Sequence, residues 1–166
     1  MHYFAYGSNL EPLQMRRRCP GHTVVGLAEL RDHKLTFPLT SHDWGGGVAS
    51  VAPAHVQSVW GMVFQLSDAD LAELDGYEGY KGPGDQHNVY DRDTASVQLV
   101  RADDGSFARR LRPLIYIARP SNPSPPSRRY LDVILTGARH HKLPSEYIAR
   151  LALIPTAELE PEPGAE

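Results

Sequence analysis

The sequence predicts an α+β protein built on a small mixed or antiparallel β-barrel with flanking α-helices. Two observations favour this class: strand-like segments dominate the first 120 residues with two short helices between them, and the longer helical patterns come last. Strands and helices do not alternate regularly, as a doubly wound parallel sheet requires. A length of 166 residues with 41% hydrophobic content suits one domain, predicted at 1–155.

The first elements form a strand, a turn and a helix. Residues 2–6 are a predicted strand that stops at Gly7-Ser8-Asn9, residue types that favour turns. Asn9 is predicted to cap the next helix, with Glu11 and Pro12 in its first turn and an end near residues 19–21. Residues 23–30 and 34–39 follow as two predicted strands.

The middle of the chain alternates strands with one short helix. Residues 48–52 and 57–66 are predicted strands after a glycine turn at 44–47. Ser67 and Asp70 form a variant capping box, so a helix is expected from about residue 68, ending with Gly76 as its C′ residue.

The last third predicts a hairpin and then two helices. Residues 89–100 and 107–118 are expected as two long strands joined by a turn at 103–105. A proline-rich connector leads to Ser127, the predicted cap of a helix, and Pro144 opens a second helix. Residues 156–166 form an acidic tail that is expected to be disordered.

Composition excludes several classes of function. The formal charge is −3, but four glutamates lie in the tail, and outside it 17 basic residues face 16 acidic ones. A strongly basic face, typical of nucleic-acid binders, is therefore not expected, and the Arg16-Arg17-Arg18 run is predicted to be a solvated helix face. We expect no membrane partner, because no apolar run approaches the roughly 18–20 residues of a spanning helix. The absence of a secretory pattern and the single cysteine favour the cytoplasm.

No metal or cofactor is expected. The eight histidines show no zinc-site spacing, and the adjacent His140 and His141 would point about 100° apart on a helix. The glycine turn at 44–47 lacks the Lys-Ser/Thr of a phosphate loop, and no Gly-x-Ser-x-Gly elbow is present. Cys19 is either a nucleophile or, as is more common, a buried thiol.

Glu78 is the candidate acid or base. It follows the predicted end of a helix, where the helix dipole raises the pKa of a carboxyl, and it lies between tyrosines and glycines. Such a carboxyl suits proton transfer near neutral pH. The alternatives are a solvated loop glutamate at position 78, or catalysis by Asp75, which is more often structural at a helix end.

The turn at residues 6–10 is a candidate anion site. Backbone N–H groups at a helix start can bind a carboxylate or a developing oxyanion. The alternative is an ordinary tight turn with a capping Asn9.

Together these segments resemble the gamma-glutamylcyclotransferase family. The segment Tyr3-Phe4-Ala5-Tyr6-Gly7-Ser8-Asn9-Leu10 resembles the N-terminal motif of that family, and Leu74-Asp75-x-x-Glu78-Gly79 resembles its catalytic-glutamate segment. Further matches follow in order, and the resemblance spans about residues 2–155. They are Trp44-x-Gly46-Gly47-Val48-Ala49, Val59-Trp60-Gly61, the segment 125–130, and the stretch from Gly137-Ala138 to Leu143-Pro144-x-Glu146-Tyr147.

The resemblance implies a barrel with flanking helices and an acyl-transfer reaction that releases 5-oxoproline from γ-glutamyl-amino acids. It makes Glu78 the catalytic acid/base. The implied substrate-binding residues are Tyr3, Phe4, Ala5, Tyr6, Gly7, Ser8, Asn9, Tyr90 and Tyr130. Tyr90 resembles a pocket tyrosine of the family, but it follows a loop at 81–88 that is longer than the usual loop of the family, so this match is the least direct of the set. The presence of Asn9 differs from what we expect of glutathione-specific relatives.

Several alternatives stay open at this level. The leaving group is an amino acid, another amine or, where the γ-glutamyl unit is a protecting group, a biosynthetic intermediate, because specificity depends on the leaving-group pocket. A non-enzymatic binding module and a hydrolase that releases glutamate are the other classes. A homodimer is also open, because oligomeric state is not readable here.

Overall fold

The computed structural model of the chain describes residues 1–157, so most of the predicted tail lies outside the described residues. Within these residues, seven strands form one sheet, and four α-helices and one short 3-10 turn lie against it. The strands are β1 His2–Ala5, β2 Thr23–Ser41, β3 Gly46–Gln65, β4 Tyr90–Thr94, β5 Val97–Ala102, β6 Arg109–Leu111 and β7 Leu114–Ala118. The helices are α1 Pro12–Arg18, α2 Asp68–Tyr77, α3 Arg128–His140 and α4 Ser145–Ala152, with the 3-10 turn at Ser8–Leu10.

The sheet has the order β4-β7-β1-β3-β2-β5-β6. All neighbouring pairs are antiparallel except β1 and β7, which run parallel beside each other. This mixed sheet with outer helices confirms the predicted α+β class.

Strands β2 and β3 are longer than predicted. The expected breaks near Asp32 and between residues 52 and 57 fall at one register shift, between the pairs Arg31↔Ser58 and His33↔Pro53, within two continuous strands. Asp32 adopts a left-handed φ of 56°, and its Oδ1 accepts a hydrogen bond from the amide of Val56 at 3.1 Å. The irregular residues on both strands therefore lie opposite each other, and pairing resumes beyond them. Such an irregularity absorbs extra residues without ending a strand, which explains why residues that favour turns do not break β2 and β3.

The predicted long hairpin is present, but each of its arms is broken into two strands. At the tip of the hairpin, β5 pairs with β6 on one side and with β2 on the other. At its base, β4 pairs with β7, and β7 pairs with β1. Pairing stops between Thr94↔Leu114 and Val97↔Leu111, where Pro113 has no amide hydrogen to donate. One hairpin thus supplies both edges of the sheet. The sheet curls around a core that includes Phe4, Phe64 and Ile115.

The helices hold the turn after β1 in place. Helix α3 begins after Ser127, whose Oγ accepts from the amide of Tyr130, as predicted. Gly137 of α3 packs on Leu10, and a Cβ at position 137 would lie 2.3 Å from the Leu10 carbonyl carbon. Within residues 1–157, no helix is both long and apolar enough to cross a membrane.

Candidate functional site

The turn after β1 contains a 3-10 segment that the sequence did not predict. Asn9 does not cap α1; Glu11 does, because its two carboxylate oxygens accept from the amides of Leu13 at 3.1 Å and Gln14 at 2.7 Å. The 3-10 turn at Ser8–Leu10 starts helix α1 later and leaves the Asn9 side chain available for other contacts.

Asn9 is oriented by two donors. Its Oδ1 accepts from Gln14 Nε2 at 3.1 Å and from Arg18 Nη1 at 3.0 Å. This arrangement turns Nδ2 the other way, where it donates to Tyr3 Oη at 3.0 Å and to Glu78 Oε1 at 3.1 Å. Asn9 is 4% exposed, so its amide is held firmly behind the Glu78 carboxylate.

Glu78 is the first residue after helix α2. The amide of Tyr80 donates to the Asp75 carbonyl at 2.9 Å and that of Gly79 to the Gly76 carbonyl at 3.2 Å, the bonding pattern of a Schellman motif. Gly79 has a φ of +65°, so Gly79 rather than the predicted Gly76 is the C′ residue. The motif ends the helix with the Glu78 backbone fixed.

The Glu78 carboxylate is shielded from water. Its side chain is 14% exposed, which contradicts the interpretation as a solvated loop glutamate. Burial raises the pKa of the Glu78 carboxyl above its ordinary value, while the Arg18 charge and the Asn9 hydrogen bond oppose the rise. The predicted direction is therefore right, but burial, not the helix dipole, is the main cause.

The two rival groups are occupied elsewhere. Asp75 forms a 2.5 Å ion pair with Arg92 and accepts from the Tyr116 hydroxyl at 2.7 Å. This agrees with the structural role that the sequence favoured. Cys19 is fully buried, and burial raises the pKa of its thiol to about 12, so it is a structural thiol rather than a nucleophile.

The loop at 81–88 returns the chain to the site. Asn88 ties it together, accepting from the Lys81 amide at 2.6 Å and donating to the Gly82 carbonyl at 2.8 Å. The amide of Tyr90 then donates to the Glu78 carbonyl at 3.2 Å. The longer loop therefore still brings Tyr90 beside Glu78.

Two tyrosines meet at Ala49 of β3. Tyr90 Oη donates to the Ala49 carbonyl at 2.8 Å, and Tyr130 Oη accepts from the Ala49 amide at 2.9 Å. Gly7 packs closely here, because a Cβ at position 7 would lie 3.4 Å from Tyr130 Oη. Burial raises the pKa of the Tyr3, Tyr6, Tyr90 and Tyr130 hydroxyls, so these groups keep their protons and can donate hydrogen bonds.

These residues surround a pocket of about 500 Å³. Of the predicted site residues, the pocket wall includes Tyr3, Tyr6, Gly7, Ser8, Glu78, Tyr90 and Tyr130. Phe4 and Ala5 are fully buried and do not line it, because they belong to the barrel core, and Asn9 reaches it only through Glu78.

The sequence missed other residues of the wall, and Arg18, Trp44 and Tyr116 are among them. Arg18 lines the pocket with an 18% exposed side chain, whereas its neighbours Arg16 and Arg17 are exposed as predicted. The available signal for Arg18 was its spacing, since Arg18 lies three residues after Met15 and four after Gln14, on the helix face that these two buried residues share.

The turn after β1 presents donors to the pocket. Within residues 1–157, the amides of Gly7 and Ser8 have no hydrogen-bond acceptor, although the following amides of Leu10 and Glu11 do. Unpaired amides next to a pocket are suited to binding an anionic oxygen.

Comparison with known proteins identifies the family. The gamma-glutamylcyclotransferase of Homo sapiens is 31% identical to this chain over 156 residues, covering 92% of this chain and 77% of that protein. The chain belongs to the gamma-glutamylcyclotransferase family. The gamma-glutamylcyclotransferase of Bos taurus is 32% identical over 153 residues, covering 90% and 76% of the two chains.

Fold comparison agrees with this assignment to the gamma-glutamylcyclotransferase family. A solved structure of a gamma-glutamyl cyclotransferase superposes with a TM-score of 0.83 at 28% identity, covering 98% of this chain and 92% of that one. Residues 58–151 match the AIG2-like family, a region that contains Glu78, Tyr90 and Tyr130. The resemblance stated from the sequence is confirmed.

Proposed function

We propose that this chain is a gamma-glutamylcyclotransferase that releases 5-oxoproline and a free amino acid or amine from γ-glutamyl compounds, with Glu78 as general base and then general acid. The observation that carries the proposal is the 3.1 Å hydrogen bond by which Asn9 holds the shielded Glu78 carboxylate at the pocket wall. Membership of the gamma-glutamylcyclotransferase family supports the reaction class.

The reaction is intramolecular. Glu78 takes a proton from the substrate α-ammonium, and the freed amine attacks the γ-carbonyl carbon to close a five-membered ring. As the bond from that carbon to the leaving nitrogen breaks, Glu78 delivers its proton to this nitrogen. Glu78 then accepts the second proton of the ring nitrogen, which becomes the lactam N–H, and passes it to the released amine. No water is consumed, and proximity supplies much of the acceleration, because nucleophile and carbonyl belong to one folded molecule.

The proposed glutamyl site is the turn after β1. The free amides of Gly7 and Ser8 can bind the glutamyl α-carboxylate or the developing oxyanion, and the Tyr130 hydroxyl adds a donor nearby. Tyr3, Tyr6 and Tyr90 enclose this half of the pocket. Phe4 and Ala5 are proposed to support it from beneath.

The variant Glu78→Gln tests the catalytic role. It keeps the side-chain shape but cannot accept the proton, so we expect 5-oxoproline release from γ-glutamyl-alanine to fall at least about a hundredfold, the usual contribution of a general acid or base. The matched control is Glu73→Gln on the exposed side of the same helix, which should retain activity. Full turnover by Glu78→Gln with an unchanged melting temperature would contradict the assignment.

Product analysis separates the other classes. Free glutamate instead of 5-oxoproline would identify a hydrolase, and the absence of any product despite substrate binding would identify a binding module. Location in the cytoplasm and a role in glutathione metabolism are proposed with the same function, on the basis of the single cysteine in 166 residues and of the family.

A further inference from the structure

Arg18 is a charged residue in the pocket wall that the reaction as described does not use. It ends helix α1, and its Cζ lies 4.8 Å from the centre of the Tyr77 ring. Its Nη1 donates to Asn9 Oδ1 and lies 3.8 Å from Glu78 Oε1. The guanidinium is therefore held in a defined position beside the catalytic carboxylate.

Most hydrogen-bonding capacity of this guanidinium is unused. An arginine carries five N–H donors, and the hydrogen bond to Asn9 is the one that Arg18 makes within residues 1–157. The 3.8 Å separation from Glu78 is too long for a hydrogen bond. A largely buried cation with unpaired donors is costly unless an anion completes its contacts.

The charges of the pocket indicate which anion Arg18 can bind. Arg18 is the sole lysine or arginine among the residues lining it, all of which belong to the described part of the chain, and Asp43 and Glu78 are the acids. The proposed glutamyl site already offers neutral donors to the glutamyl carboxylate. A γ-glutamyl-amino acid brings a second carboxylate, on its leaving half.

We propose that Arg18 binds the α-carboxylate of the leaving amino acid, so that the enzyme selects γ-glutamyl-α-amino acids over γ-glutamylamines. This inference rests on the proposed cyclotransferase function. The leaving nitrogen must reach Glu78 to receive its proton, and a single carbon separates that nitrogen from the carboxylate. The carboxylate therefore falls next to the guanidinium nitrogen 3.8 Å from Glu78 Oε1, where a two-pronged contact can form.

Two substrates that differ in this carboxylate test the inference. γ-Glutamyl-alanine and γ-glutamyl-ethylamide share the glutamyl half, and their leaving groups differ by one carboxylate. We expect Arg18→Met to lower kcat/KM for γ-glutamyl-alanine about tenfold to a hundredfold, as expected for a lost hydrogen-bonded ion pair. The decisive quantity is the ratio of the two kcat/KM values, alanine over ethylamide, which should fall by about tenfold to a hundredfold, since any effect of the substitution on Asn9 or Glu78 is common to both substrates and cancels in that ratio.

The measurements are made on the high-pH plateau, where Glu78 is ionised in both proteins. Arg17→Met is the matched control, because Arg17 lies one residue away on the same helix and is exposed. Equal losses with both substrates, or no loss with either, would overturn the role of Arg18 while leaving the cyclotransferase function intact. Absence of 5-oxoproline from both substrates with the wild-type protein would instead overturn the cyclotransferase function itself.

Discussion

Gln14 is linked to the Glu78 carboxylate through Asn9, although Gln14 itself does not line the pocket. It is buried, and its Nε2 donates to Ser8 Oγ at 2.7 Å and to Asn9 Oδ1 at 3.1 Å. The orientation of the Asn9 amide, and hence its donation to Glu78, depends on this donor. Gln14 therefore acts on the pKa of Glu78 through one intervening side chain, that of Asn9, and both Gln14 and Asn9 are buried.

The variant Gln14→Glu tests this control. A carboxylate at position 14 would accept from Asn9, draw its Nδ2 away from Glu78 and add a negative charge nearby. Both changes raise the pKa of Glu78 further. Since the reaction needs ionised Glu78, the acid limb of the pH profile of kcat/KM should move to higher pH, with activity recovering on the alkaline plateau.

Gln65→Glu is the control for Gln14→Glu, because Gln65 is exposed at the end of β3. An acid limb at the wild-type pH for Gln14→Glu would show that Asn9 keeps its orientation without Gln14. A uniform loss of activity at every pH would indicate general damage rather than a shifted pKa.

At the residue scale, the sequence predicted identities better than roles. Glu78 was a candidate from its place after a helix end, Tyr90 and Tyr130 were implied by the family resemblance, and all three line the pocket. Asn9 was predicted as a helix cap, because no local pattern shows that Glu11 takes that role. Arg18 was missed because its position depends on contacts between α1 and α2, which lie about 50 residues apart in the chain.

The end of α2 is the element that positions Glu78 at the pocket. Gly79→Ala places a side chain at a φ of +65°, with its Cβ 2.8 Å from Val89 Cγ2. We expect a loss of more than about 1 kcal/mol in the free energy of unfolding, measured by urea denaturation. Activity should fall as well, because the Schellman motif fixes the Glu78 backbone.

Gly76→Ala is the matched change within the same helix. Gly76 is helical and a Cβ there meets no atom within 4 Å, so alanine should stabilise the protein by about 0.5–1 kcal/mol. Equal effects of the two substitutions on the free energy of unfolding would contradict the assignment of Gly79 as the C′ residue.

At the scale of the whole molecule, the site is assembled by packing between distant segments. The turn at Gly7–Asn9 is held by α3, and Gly137→Ala would place a Cβ 2.3 Å from the Leu10 carbonyl carbon. We expect the free energy of unfolding to fall by about 1–3 kcal/mol from overpacking, and kcat/KM to fall because the turn moves relative to Glu78. Thr136→Ala, at an exposed neighbour on α3, should change stability by less than about 0.5 kcal/mol.

The fold class could be predicted because it follows from the order of strands and helices along the chain. The division of the hairpin between the two edges of the sheet could not, because the residues at 95–96 and 112–113 show a break only when the positions of β1 and β2 are known. Pro113 is the one local signal, and a proline also fits an edge strand without a break.

The position of Glu78 at the end of α2 also limits how this chain can vary in length. The helix is fixed at its start by Ser67 and by Asp70, which accepts from the Gly21 amide at 3.2 Å. One residue inserted between these points and Glu78 would rotate the carboxylate by about 100° and advance it about 1.5 Å. Among related sequences, insertions and deletions should therefore accumulate at 82–87, where the chain leaves the site and returns to it. They should be absent from helix α2 at 68–77.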